Sequence, residues 1–225
     1  MLRRAALITA KDLKLSVSGG QGLVQAVLLG LLLIFLFSLS KPLGGVISAQ
    51  AAGAIFWLSS AFGLVLVFND LFSLEEANGA RLGLLSSPVP VHSVWVGKGV
   101  AGLCLLLVTQ IVFFPATIAF LGQAVNGPFW LMVCAVLLGD VGLVVLGALL
   151  GALSQGQGAR ESLLSVIIFP LLLPVLLGGI TLFGMAFSGE DVAEAGKWLG
   201  VMGAFDGVFA GAGLILFPFV YSGEE

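Results

Sequence analysis

Residues 22–40 read GLVQAVLLGLLLIFLFSLS, a run without a single charged side chain. A helix needs about 20 mainly apolar residues to cross the hydrocarbon core of a bilayer. The apolar stretch from Leu23 to Leu39 is also longer than the roughly 7–15 residues of a signal-peptide core. We therefore predict that this run is a retained transmembrane helix.

The rest of the chain repeats this pattern. Of its 225 residues, 59% are hydrophobic and 9% are charged, whereas soluble domains hold ~45–50% apolar residues. Six segments qualify as spans, at about 22–40, 49–68, 99–121, 129–153, 162–186 and 198–220. Lipid cannot satisfy open backbone groups, and the runs lack the alternation of barrel strands. We predict an all-α integral membrane protein in which residues 1–225 form a single transmembrane domain.

The basic residues predict the orientation, because short cytoplasmic loops carry an excess of Lys and Arg. With a cytoplasmic N-terminus, seven of the nine basic residues lie inside: Arg3, Arg4, Lys11, Lys14, Arg81, Lys98 and Arg160. Only Lys41 and Lys197 then lie outside. Both termini are therefore predicted to be cytoplasmic.

Residues 1–20 precede the first span and carry four of those basic residues. On a helical wheel the four fall within one arc of about 100°. This pattern predicts a short amphipathic helix that lies in the cytoplasmic membrane interface. The alternative is a charged flank that only sets the topology.

Residues 69–98 connect the second and third spans, and their last part reads EEANGARLGLLSSPVPVHSVWVGK from residue 75. Asn-Gly is a strong turn signal. The residues after it are too apolar for a solvated loop, and Ser and Pro interrupt them too often for a span. The composition predicts a short amphipathic element pressed against the membrane or a partner. An irregular helical hairpin packed under the bundle, without a partner, is the alternative.

The sequence offers no catalytic constellation. It contains no Walker A motif, so any ATP hydrolysis would occur on another polypeptide. Its one histidine cannot form a multi-histidine metal site, and Cys104 and Cys134 lie inside apolar runs as small hydrophobic residues. A net charge of −3 is too weak to indicate a nucleic-acid partner. We predict a non-catalytic protein with no metal site.

Polar residues inside the predicted spans are costly and therefore candidates for function. Asp140 and Asp206 are such residues, although each could instead sit protonated against a neighbouring helix. Pro170 and Pro174 lie four residues apart in one span and predict a kink, of functional or purely architectural use. Glycines at small-residue spacing allow close helix contact within the chain or between two copies; they are Gly139, Gly142, Gly147, Gly151, Gly207, Gly211 and Gly213.

Two blocks of sequence carry a resemblance to a known family. In the first, the pattern E-x-x-N-G, G-L-L-x-x-P, G-K comprises Glu75, Asn78, Gly79, Gly83, Leu84, Leu85, Pro88, Gly97 and Lys98. The second is ARESLLSVIIFPLLLPVLL, residues 159–177. Together they resemble the haem exporter B family, the permease subunit of an ABC-type complex of cytochrome c maturation. This family commonly has an acidic residue directly after the position of Gly79, where this chain has Ala80.

The resemblance implies an ABC-2 exporter-like fold, with residues 1–20 as an elbow helix and residues 69–98 as a cytoplasmic coupling segment. The implied contacts with an ATPase subunit are Glu75, Glu76, Asn78, Gly79 and Arg81, with Arg160 and Glu161 in a second loop. The charges of the segment are expected to face that soluble partner. His92 would make a polar contact there rather than bind haem.

The resemblance also implies the setting of the protein. It would lie in the bacterial inner membrane as a homodimer, with an ATPase subunit, a haem-handling membrane protein and a haem chaperone as partners. Haem would be a handled ligand, with no resident cofactor. The alternatives are an ABC-2 permease for another substrate, such as a lipid or drug, and a non-transporting membrane scaffold.

Overall fold

The computed structural model describes residues 1–19, 21–40, 45–77, 83–84, 86, 89–154, 158–189 and 192–222, with backbone only at 76–77, 154, 158–168 and 222. Seven helices have described bounds: α1 (Leu2–Gly19), α2 (Gln21–Leu39), α3 (Ala49–Ala77), α4 (Val91–Leu121), α5 (Phe129–Ser154), α6 (Gly158–Ser188) and α7 (Ala195–Ser222). No strand occurs in that part of the chain.

Helices α2 to α7 are each long and apolar enough to cross a membrane. The shortest, α2, has 19 residues, which at 1.5 Å per residue gives about 28 Å. The predictions of an all-α fold and of six spans are thus confirmed, and the chain is a multi-pass membrane protein.

Two helices extend well beyond the predicted spans. The second span was expected to end near residue 68, but α3 continues to Ala77; the third was expected to begin near residue 99, but α4 begins at Val91. A helix satisfies its backbone hydrogen bonds internally, so it can continue where its side chains become polar. Pro90 directly precedes α4, a position at which its fixed φ costs nothing. Much of the segment 69–98 is therefore helical, and residues 78–90 connect α3 to α4.

Helix α1 packs mainly against α4 and buries a narrow stripe of residues, Ala5, Ile8, Asp12 and Ser16. Gly97 on α4 permits this approach: a Cβ there would lie 2.8 Å from Ile8 Cβ and 3.0 Å from the Ala5 carbonyl oxygen. The Thr9 hydroxyl lies 3.0 Å from the Gly97 carbonyl oxygen and 3.0 Å from the Ala5 carbonyl oxygen of its own helix, and its hydrogen can be donated to either. The first helix is thus attached to the start of the third span.

The centre of the bundle is aromatic. Trp57 on α3 is fully buried and packs where Gly139 on α5 and Gly179 on α6 leave space for its indole ring. Phe56 stacks on Phe183 of α6, with ring centroids 4.7 Å apart. Helix α3 is accordingly the central helix of the described bundle.

The glycines noted in the sequence divide into two groups. All four on α5 pack within the chain, against Trp57, Asp206, Phe68 and Phe72 in turn. Gly213 on α7 packs against Trp95, whereas no atom of the described residues lies within 4 Å of a Cβ built at Gly207 or Gly211. The α5 glycines therefore serve intramolecular packing, and two of the α7 glycines leave an open face.

Candidate functional site: a buried charge cluster

Four charged side chains meet where α1, the end of α3 and the start of α4 come together: Lys11, Asp12, Glu75 and Lys98. We call them the charge cluster. Asp12, Glu75 and Lys98 are 3%, 1% and 0% exposed. With two lysines and two carboxylates the cluster has no net formal charge, which is how buried ions avoid a prohibitive desolvation cost.

Lys98 lies at the centre of the cluster. Its Nζ is 3.0 Å from Glu75 Oε2 and 3.7 Å from Asp12 Oδ2. It donates a hydrogen bond of 3.2 Å to the carbonyl oxygen of Leu71 and lies 4.4 Å from the centre of the Phe72 ring. The carboxylate contacts are ion pairs without hydrogen-bond alignment. The ammonium thus contacts the last turns of α3 and the buried stripe of α1 at once.

Lys11 closes the cluster from its half-exposed side. Its Nζ lies 2.9 Å from Asp12 Oδ1 and 3.5 Å from Glu75 Oε1. Burial, the largest single influence, lowers the pKa of Lys11, but the hydrogen bonds and negative charges of Asp12 and Glu75 together raise it above its usual value. Lys11 therefore remains positively charged at neutral pH.

The cluster changes the interpretation of Glu75. The sequence led us to expect its carboxylate to face a soluble partner, but it points into the protein and is 1% exposed. That expectation is wrong for this side chain, because Lys11 and Lys98 both form ion pairs with the carboxylate inside the fold. Lys98 was not among the predicted site residues, although it belongs to the G-K pair of the recognised pattern.

The other predicted coupling residues are only partly described. Glu76 lies in the last turn of α3, and Arg160 and Glu161 lie in the first turn of α6, all with backbone only. Asn78, Gly79 and Arg81 lie outside the described residues. By connectivity the 78–90 and 155–157 segments lie at the same end of the bundle. Their contact with a partner stays a prediction.

Asp140 has a partner within the chain. Gln110 Nε2 on α4 donates to Asp140 Oδ1 on α5 at 2.7 Å and lies 3.4 Å from the Ser60 hydroxyl on α3. Asp140 and Gln110 are 1% and 4% exposed. This polar contact joins three spans at the centre of the bundle.

Asp206 is 7% exposed and lies on α7 against Gly142 of α5. Neither of its carboxylate oxygens has a hydrogen-bond partner among the described residues. The two predicted intramembrane carboxylates therefore differ: Asp140 is hydrogen-bonded between helices, and Asp206 is buried without such a bond.

His92 supports a proline-containing helix. Its Nε2 lies 3.1 Å from the carbonyl oxygen of Leu214 on α7. In an unbroken helix this carbonyl would accept a bond from the residue four positions on, which is Pro218 and has no N–H. Nε2–H of His92 supplies the missing donor. His92 thus makes a polar contact within the chain, and its contact with an ATPase stays a prediction.

Helix α6 continues through both Pro170 and Pro174. Each proline removes one backbone donor from the helix. The kink that the pair was expected to produce stays a prediction.

These features define a class: a polytopic helical membrane protein whose first helix is joined by ion pairs to the end of its second span and the start of its third. The model of the CcmB protein family matches residues 3–222. The chain belongs to this family.

Three similar proteins carry the name heme exporter protein B. That of Paracoccus denitrificans is 30% identical over 195 residues, covering 85% of this chain and 87% of its own. Those of Rhodobacter capsulatus and Haemophilus influenzae are each 27% identical, over 78% and 88% of this chain and 80% and 87% of their own.

Proposed function

We propose that this protein is the permease subunit of an ABC-type complex that handles haem for c-type cytochrome biogenesis. The observation that carries the proposal is the family match over residues 3–222, which covers all six spans. The name of the three relatives supports haem as the cargo. In this role the subunit is non-catalytic, and ATP is hydrolysed on a separate ATPase subunit.

The connector between α3 and α4 is the part that we assign to the ATPase. It is held between two helix ends that the charge cluster joins. In this proposal Glu76, Asn78, Gly79 and Arg81 form the first contact with the ATPase, and Arg160 and Glu161 form the second. Glu75 acts behind this surface rather than on it.

The complex would contain two copies of this chain in the bacterial inner membrane, with N- and C-termini cytoplasmic. Only 22% of the residues in the membrane-spanning stretches of α2 and α7 are buried, a smaller share than in the other four spans. The open glycines of α7, Gly207 and Gly211, suit close contact with another helix. A haem-handling membrane protein and a haem chaperone complete the set of partners. ATP hydrolysis would serve delivery of haem, or release of the loaded chaperone.

Deletion of the gene tests this proposal. Haem staining of c-type cytochromes is expected to disappear in a deletion strain and to return with the wild-type gene. Staining that is unchanged by the deletion, in a strain without a second copy, would exclude the haem role. In that case, stimulation of the associated ATPase by a lipid or drug would favour a permease for another substrate. The absence of any associated ATPase would favour a scaffold.

A further inference from the structure

Burying the charged side chains of the cluster costs free energy, and filling the same space does not require charges. A buried ion pair is often no more stabilising than apolar residues of the same volume. Here Lys98 lies in an otherwise apolar part of α4, with every nearby acceptor supplied by a different helix. We therefore ask which helices these buried charges hold in a fixed relative position.

That arrangement joins three parts of the chain. On α3, Lys98 contacts the Leu71 carbonyl and Glu75, one helical turn apart, which fixes the last turns before the connector. On α1, it contacts Asp12, which Lys11 also holds. Because Lys98 is itself in the second turn of α4, the two helix ends that flank the connector cannot separate without breaking these contacts.

Helix α1 is bound to the same unit by a second, uncharged contact. Its Ile8 side chain fits against Gly97, next to Lys98, and its Thr9 hydroxyl lies within hydrogen-bond distance of the Gly97 carbonyl oxygen as well as that of Ala5. A displacement of the start of α4 therefore displaces α1 as well. Both charged and uncharged contacts thus join the middle of α1 to the start of α4.

We propose that Lys98 is a positioning residue that holds α1, the end of α3 and the start of α4 as one rigid stem, so that movement of the connector reaches the membrane spans. This inference rests on the proposed coupling to an ATPase. Without the ion pairs, the connector would still bind the ATPase, but its movement would be lost in flexing between α3 and α4.

Two charge-neutral double variants test the stem. Lys98→Met with Glu75→Gln removes one charge of each sign and leaves the Lys11–Asp12 pair. Lys11→Met with Asp12→Asn does the reverse and leaves the Lys98–Glu75 pair. Both are produced in the deletion strain as the full chain with its natural partners. Lys14→Met is the matched control, since Lys14 is an exposed lysine on α1.

Three quantities are measured for each variant: its amount in the membrane, the ATPase subunit that co-purifies with it, and the yield of c-type cytochrome. We expect both double variants to accumulate and to retain the ATPase, with a cytochrome yield lower by about tenfold. Lys14→Met is expected to match the wild type in all three.

A wild-type cytochrome yield from Lys98→Met/Glu75→Gln would overturn the role of Lys98. A wild-type yield from Lys11→Met/Asp12→Asn would remove α1 from the stem. If the first variant fails to accumulate, the second, whose Lys11 is half-exposed, still tests the proposal: a lowered cytochrome yield supports a stem that includes α1, and a wild-type yield contradicts the stem as proposed, because α1 is one of its three parts. If the wild-type protein itself neither restores cytochromes nor retains an ATPase, the proposed function fails instead.

Discussion

Lys98 places its terminal amino group at a position from which solvent is excluded. Its ammonium donates a hydrogen bond to a carbonyl oxygen, forms ion pairs with two carboxylates, and has an aromatic ring on one side. Removing one member of such a cluster leaves an opposite charge buried without compensation, which costs far more than removing a matched pair. Single substitutions here therefore report mainly on folding, and paired substitutions report on the role of the ions.

The close contact between α1 and Gly97 can be tested by adding a single methyl group, in Gly97→Ala. In Gly97→Ala the new Cβ would lie 2.8 Å from Ile8 Cβ and 3.0 Å from a backbone oxygen, so α1 must shift. We expect a loss of about 1–3 kcal/mol, measured as a lower apparent Tm of the detergent-purified protein. Gly99→Ala on the same helix is the control, because its Cβ would meet only Val144 Cγ1, at an ordinary 3.6 Å, and alanine favours the helix. An equal Tm for both variants would contradict the close contact.

At the scale of helices, the sequence predicts the spans well and their polar ends poorly. Bilayer thickness fixes how many apolar residues a span needs, so all six could be located from composition. The ends of α3 and α4 could not, because a helix continues beyond lipid as long as its own hydrogen bonds hold. Glu75 was misplaced for a related reason: its lysine partners are distant in sequence, and only the packing of α1 and α4 against the end of α3 brings them together.

The contact between His92 and α7 gives a prediction at this scale. In His92→Phe the Leu214 carbonyl loses its donor, and we expect a loss of about 1 kcal/mol from one hydrogen bond. In a Pro218→Ala background, residue 218 regains an N–H that can bond the same carbonyl, so His92→Phe is expected to cost less. Apparent Tm values of the four proteins form a double-mutant cycle. An equal cost of His92→Phe in both backgrounds would show that the histidine does not replace the missing proline donor.

For the whole molecule, the connectivity places the two ends of the bundle in different roles. The connector 78–90, the segment 155–157 and the C-terminal end of α7 lie at one end, together with the charge cluster. The loop between α4 and α5, residues 122–128, lies at the other, where Gly122 ends α4 in the left-handed conformation with φ 69°. In our account the first end meets the ATPase and the second faces away from it.

The most direct test of this account is photocrosslinking in intact membranes. A benzoylphenylalanine residue would be placed at position 81, in the connector, or at position 125, in the opposite loop where Val125 is exposed. We expect position 81 to crosslink to a protein that contains a Walker A motif and position 125 not to do so, with mass spectrometry identifying the product. An ATPase crosslinked only from position 125, or from neither position in cells that mature their cytochromes, would contradict it.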